Sequence, residues 1–278
     1  MKYKYLVFLF GLYVFLASCR TPRFVYSPST PNNPYFKTKG ESKLAAYYSA
    51  TGTADEIPNE YNNGFDIQAA YAPGNHWALT ADYFSRREKD IFTFSQRTYY
   101  DSSVVKYDRH IASFGAGYFT AIQKNSNVFL NALAGVGFGK FNFTDNGTDN
   151  GVNYSRYHNA DITKWYIQPA INIYFKDHIR AAFIGQIAWV HYGNISTSYF
   201  ESELNYFDLH RIPGKTLSFF AGTWNIQATL PKMNWLYLDG SLTISSDPLG
   251  KDLNIEARNT VASIGLCIDF SKIKKGKN

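Results

Sequence analysis

The sequence predicts an all-β fold, an antiparallel up-and-down transmembrane β-barrel of about ten strands, with short turns at one end and long loops at the other. Three observations carry this. Aromatic residues make up 18% of the 278 residues, 22 of them Tyr and 22 Phe, yet mean hydropathy is only −0.29. That average suits strands whose lipid-facing apolar residues alternate with polar lumen residues. From Ser42 onward apolar and polar residues alternate with period two, and no sustained period of 3.6 runs alongside. The connections between alternating segments are strictly short, then long, which is the habit of barrels that cross membranes.

Before the barrel, Lys2 and Lys4 precede an apolar run from Leu6 to Leu16 broken only by Gly11 and Tyr13. It is too short for a transmembrane helix and has the form of a secretory signal over residues 1–18. The run ends in Leu16-Ala17-Ser18-Cys19, which resembles the lipobox of bacterial lipoproteins. The resemblance implies cleavage before Cys19 and acylation of that cysteine on its thiol and its new amine. Several acyl chains, at about 0.8 kcal/mol per buried methylene, hold a chain on a membrane durably. Arg20 follows, not the Asp associated with inner-membrane retention, so the expected address is the outer membrane. No acidic run of the kind that marks some surface-exported lipoproteins comes after it. Residues 19–41 carry Pro22, Pro28, Pro31 and Pro34 among Ser, Thr and Asn, which predicts an extended tether between lipid and barrel.

Residues 42–270 hold the strands, beginning with Ser42 to Ala50. Phe65, Ile67, Ala69 and Tyr71 oppose Asp66, Gln68 and Ala70; Trp77, Leu79, Ala81 and Tyr83 oppose Thr80 and Asp82. Ala112, Phe114, Ala116 and Tyr118 oppose Arg109, Ser113, Gly115 and Gly117. The clearest alternation lies between Val128 and Phe143, where Leu130, Ala132, Ala134, Val136 and Phe138 share one face and Asn131, Gly135, Gly137 and Gly139 the other. Five more segments follow, from Trp165 to Phe175, Ile179 to Trp189, Phe220 to Leu230, Leu236 to Ile244 and Ala262 to Phe270. Short turns are expected near 73–75, 123–125, 176–177 and 231–232, and long loops over about 51–62, 87–106, 144–160, 194–216 and 246–257. An even strand number places both ends of the barrel on the short-turn, periplasmic side, where a lipid on Cys19 would enter the inner leaflet.

This pattern is similar to that of the small up-and-down bacterial outer-membrane β-barrels. The resemblance implies a last strand read by the barrel assembly machinery, and Ser263, Gly265, Ile268 and Phe270 stand in the places of that signal. The sequence departs from the family in its basic tail, residues 271–278, beyond the final aromatic. Period two alone does not say which face points outward. A soluble periplasmic barrel of lipocalin type, binding a hydrophobic ligand with its apolar face inward, has the same alternation; the alternation of loop lengths favours the membrane barrel.

The polar face supplies Asp66, Asp82, Arg109, Arg180, Asp239 and Asp269, expected to form a lumen charge network because unpaired charge there is costly. Six histidines show no metal-ligand spacing. No metal, cofactor or nucleic acid is expected, and Cys267 has no partner once Cys19 is acylated. His191-Tyr192-Gly193-Asn194 is similar to the active-site run of outer-membrane lipid A deacylases, but Gly193 stands where their serine nucleophile belongs. The net charge of +6 falls to +4 without Lys2 and Lys4. These readings point to a non-enzymatic envelope lipoprotein with outer-membrane lipid and the assembly machinery as partners, and an envelope protein or surface glycan bound through Tyr-, Asn- and Asp-rich loops.

Overall fold

The structure, a computed structural model, describes residues 23–52, 61–93, 102–123, 127–149, 151–175, 178–246 and 255–275. Ten antiparallel strands close into one barrel. In chain order the barrel strands are β2 (Ser42–Gly52), β3 (Tyr61–Tyr71), β4 (Trp77–Thr93), β5 (Ser102–Ala121), β6 (Val128–Asp149), β7 (Val152–Phe175), β8 (Ile179–Thr197), β9 (Thr216–Leu230), β10 (Met233–Ser245) and β12 (Thr260–Asp269). Pairing of β12 with β2, Ser263 opposite Ser49, completes the ring. Two further strands, β1 (Arg23–Tyr26) and β11 (Ile255–Ala257), form a separate parallel pair.

The apolar face points outward. Phe114 is 61% exposed, Trp224 52% and Ile264 57%, while Asp66, Gln68 and Asp239 on the opposite face are at most 2% exposed. A continuous exposed belt of this kind belongs against acyl chains, so the soluble, inward-facing alternative is overturned. On β6 the outward residues from Leu130 to Phe138 are apolar, a span of roughly 20 Å at about 3.3 Å per residue and the usual tilt. Trp77 packs edge-on against Tyr118, ring centroids 5.8 Å apart, at the short-turn rim, as in the aromatic girdles of membrane barrels.

Above the belt the same strands continue with the pattern inverted. Lys140, Thr144 and Asn146 point out on β6, whereas Phe141 and Phe143 point in and are buried. A wall standing in water buries its apolar residues inside, so strand parity is kept while side-chain character swaps. The expected loops 87–106 and 144–160 are therefore mostly strand among the described residues: β4 reaches Thr93, β5 starts at Ser102, β6 reaches Asp149 and β7 starts at Val152. The 194–216 connection is also more ordered than a free loop. It carries α1 (Glu201–Tyr206) and a 3-10 turn (Leu209–Arg211), and its Tyr199, Phe207, Leu209 and Ile212 are buried in the core at the long-loop end.

One terminal expectation changes. Residues 25–36 are buried within the barrel, so the segment expected to be an extended tether is packed; its Ser, Thr and Asn side chains hydrogen-bond to a polar lumen, which the prolines, lacking N–H groups, permit. At the other end the basic tail is helical at first, as α2 (Phe270–Lys275), with the Lys272 ammonium 5.1 Å from the Tyr237 ring centroid.

Candidate functional site

The lumen is built around the chain's own N-terminal segment. Where this segment enters β2, Tyr35 adopts φ 55° and Gly40 φ 84°, the left-handed region that a bulky residue occupies only when its surroundings hold it there. Tyr35 is held at both ends: its hydroxyl donates to Asn225 Oδ1 at 2.6 Å, and its carbonyl accepts from the Tyr174 hydroxyl at 2.7 Å. The chain reverses here, at the short-turn end, and its earlier residues climb the interior.

Going backward in sequence, each residue meets a lining group further from the short turns. Asn33 Oδ1 accepts from Asn131 at 2.7 Å, its amide donates to Asn172 Oδ1 at 2.7 Å, and its carbonyl accepts from Lys43 Nζ at 2.6 Å. Asn32 donates to the carbonyls of Ala69 and Ala81, which face each other across β3 and β4. Thr30 donates its N–H and hydroxyl to Asp66 at 3.2 and 3.1 Å, and its carbonyl accepts from Gln68. Arg86 donates to the Ser27 hydroxyl at 2.7 Å and the Pro28 carbonyl at 2.9 Å. Tyr192 holds the Val25 carbonyl at 2.9 Å, and Arg109 holds that of Phe24. Arg23 ends the series on Asp145 at 2.5 Å.

A second set of contacts seals the long-loop end. Arg258 donates to both oxygens of Asp90 at 2.6 Å and lies 3.7 Å over the Phe24 ring, while Arg109 pairs with Glu88. Tyr26 stacks on Phe219 at 4.1 Å. The Arg23 guanidinium sits 3.8 Å from the Phe207 ring centroid, beneath the α1 segment. The buried charges thus have opposite charges beside them, as burial requires.

Of the six lumen residues expected from sequence, Asp66 and Arg109 hold the threaded segment directly. Asp239 accepts from Tyr47, Gln227 and Asn225, each at 2.6 Å, and reaches the segment through the Asn225 that binds Tyr35. Arg180 pairs with Asp269 at 2.8 Å near the foot of the barrel. Asp82 lies on the inward face of β4 beside Ser113. They form separate groups along the lumen, each joined to a different stretch of chain. Sequence reasoning missed Arg23, Asn32, Asn33, Arg86, Asp145 and Arg258.

The remaining sequence candidates lie elsewhere. In β12, Ser263 faces inward, Gly265 packs against Tyr47, and Ile268 is half-buried; Phe270 follows at the start of α2, 40% exposed. Cys19 lies outside the described residues. His191 is on the outward face of β8 beside Gly193, and Asn194, at φ 47°, donates to Asp161 at 2.7 Å. A nearby polar recess is lined by Lys140, Asn142, Asn159, Ala160, Asp161 and Asn194, none carrying a hydroxyl nucleophile. Among the described residues no group of three or more His, Cys, Asp or Glu side chains is placed to hold a metal ion.

No family model and no curated protein matches the chain. Solved structures do. The translocator domain of the autotransporter NalP from Neisseria meningitidis superposes with a TM-score of 0.51 over 84% of this chain and 90% of that one, at 10% identity. The attachment invasion locus protein Ail of Yersinia pestis covers 84% and 98% at 14% identity, with a TM-score of 0.30. The outer membrane protein OprG of Pseudomonas aeruginosa covers 84% and 97% at 8% identity, with a TM-score of 0.35. At such identity the likeness is one of architecture, and the fold of this chain is that of the outer-membrane β-barrels.

Proposed function

We propose that the chain is a non-enzymatic outer-membrane lipoprotein, acylated at Cys19, whose barrel is a sealed scaffold and whose external face binds an envelope protein or surface glycan. The observation that supports this is the filled lumen: residues 23–36 occupy it from one end to the other and are hydrogen-bonded to its wall at every level. A passage for solutes is therefore closed by the chain itself, which argues against a diffusion pore. The lipid A deacylase reading loses its chemistry, since Gly193 has no oxygen to attack an ester. Exposed positions on the α1 segment, with Phe200 64% exposed beside Glu201 and Asn205, offer aromatic and polar contact of the kind recognition uses.

The test is one preparation read three ways. In planar bilayers the purified protein is expected to show no steady conductance; a stable open current would overturn the sealed scaffold. A photo-crosslinking residue at Phe200 or Asn205 is expected to give a discrete adduct on intact cells; its absence at both would overturn binding through this face. Metabolic labelling with an alkyne fatty acid is expected to mark the protein and to fail in Cys19→Ala.

A further inference from the structure

We infer, from Arg23 standing at the long-loop end of the barrel, that a lipid on Cys19, four residues earlier in the sequence, enters the outer leaflet from outside the cell. This rests on the outer-membrane lipoprotein reading and reverses the sequence expectation that the lipid lies on the short-turn side with the ends of the barrel. The ends of β2 and β12 do lie there; the chain before β2 does not stay.

The direction follows from the order of contacts. On β6 the threaded segment meets Asn131 through Asn33 and Asp145 through Arg23, and β6 runs from the short-turn end to the long-loop end. The twelve residue steps from Tyr35 to Arg23, at about 3.3 Å per residue, allow a span of at most roughly 40 Å. The climb from the Phe129 level to Asp145 along a tilted strand is also roughly 40 Å. The two lengths agree, so the segment crosses the barrel once without doubling back. The apolar belt on β6 ends at Phe138, and the outward residues Lys140, Thr144 and Asn146 stand above it, which puts Arg23 beyond the external edge of the hydrocarbon.

From Arg23, the four residue steps to Cys19 reach at most about 14 Å. A return to the opposite leaflet needs about 25 Å of belt through a lumen already filled by residues 24–36. Of the two leaflets the external one is nearer to Arg23 by the whole height of the belt, and no filled lumen lies in between. An outward address would then need no acidic sorting run after the cysteine, because the barrel itself carries the lipidated end across.

The experiment uses single cysteines in the full-length protein with Cys267→Ser, treated with a membrane-impermeant maleimide on intact cells. Thr21→Cys is the reporter, Pro22→Cys a second reporter, Ser202→Cys the external reference and Asn75→Cys the short-turn reference. The gel shift on boiling selects variants that have folded. Thr21→Cys is expected to label in intact cells to the same extent as Ser202→Cys, with Asn75→Cys unlabelled until the outer membrane is permeabilised. Labelling of both reporters only after permeabilisation overturns the inference, as does labelling of neither in either state. Fatty-acid incorporation in the same samples is scored separately. Its loss would remove the lipoprotein reading while the maleimide pattern still reports the side on which residue 21 lies.

Discussion

Arg23 and Asp145, 122 residues apart in sequence, meet at 2.5 Å with side chains 1% and 0% exposed. Asp145 also accepts from Ser103 at 2.6 Å, Tyr199 at 2.8 Å and Tyr154 at 3.1 Å. One carboxylate thus joins the threaded segment, β5, β7 and the connection after β8. Removing one member of a buried ion pair strands the other, at about 3–5 kcal/mol. Asp145→Ala is expected to lower the temperature at which the compact barrel converts to the slow gel form and to speed hydrogen exchange in residues 23–36. Arg23→Met combined with Asp145→Ala is expected to be less destabilised than Asp145→Ala alone, because no unpaired guanidinium remains. A double variant whose loss equals the sum of the single losses would show that the pair is not coupled.

Gly115 and Tyr166 make a second coupled pair, inside the belt. A Cβ on Gly115 would fall 2.6 Å from the Tyr166 hydroxyl oxygen and 2.7 Å from Thr80 Oγ1. Tyr166 also lies against Gly135, so one ring fills the space that two glycines leave. Gly115→Ala is expected to cost about 1–3 kcal/mol, the range of overpacking. In a Tyr166→Phe background, where the obstructing oxygen is gone, the cost should fall by about 0.5 kcal/mol or more, the scale of coupling between touching residues. Chemical denaturation in phospholipid vesicles measures both. An unchanged cost would mean that Thr80 Oγ1, with the Ala134 carbonyl at 3.2 Å, sets the limit.

How far the sequence could be read follows from what water and lipid each ask of a strand. Within the belt, Phe114 or Trp224 outward and Ser113 or Asn225 inward make alternation that one chain displays by itself, and the ten strands were legible there. Above the belt the rule reverses at Lys140 and Phe141, so a search for one apolar face stops at the membrane surface and takes the wall beyond it for loop. The inward parity of Asp66 and Asp239 was equally visible. Their partners were not, because Thr30 reaches Asp66 and Tyr35 reaches Asn225 only once the chain has turned back on itself. The available signal was composition within the tether: Phe24-Val25-Tyr26 and Tyr35-Phe36 are apolar runs bracketing a polar stretch, and a solvated linker has no use for them. Asn32 illustrates what stays hidden, since it binds the backbone carbonyls of Ala69 and Ala81, groups that no side-chain pattern advertises.

The reversal on β6 makes the level of the membrane measurable with arginine. Ala134 lies outward in the middle of the apolar run between Leu130 and Phe138, and Asn146 lies outward on the same strand above the belt. Both are exposed, neither side chain fills the lumen, and β6 is flanked by β5 and β7 at both heights, so the principal difference is the medium each faces. An arginine on the lipid face costs about 2–4 kcal/mol at the bilayer midplane and about 0–1 kcal/mol near the interface. Ala134→Arg is therefore expected to lower folding stability in phospholipid vesicles by that larger amount, and Asn146→Arg to leave it within about 1 kcal/mol of the parent. Equilibrium urea titration followed by tryptophan fluorescence reads both. Equal costs at the two heights would mean that the bilayer reaches the level of Asp145, and the Arg23 end of the threaded segment would then lie within the membrane and not beyond it.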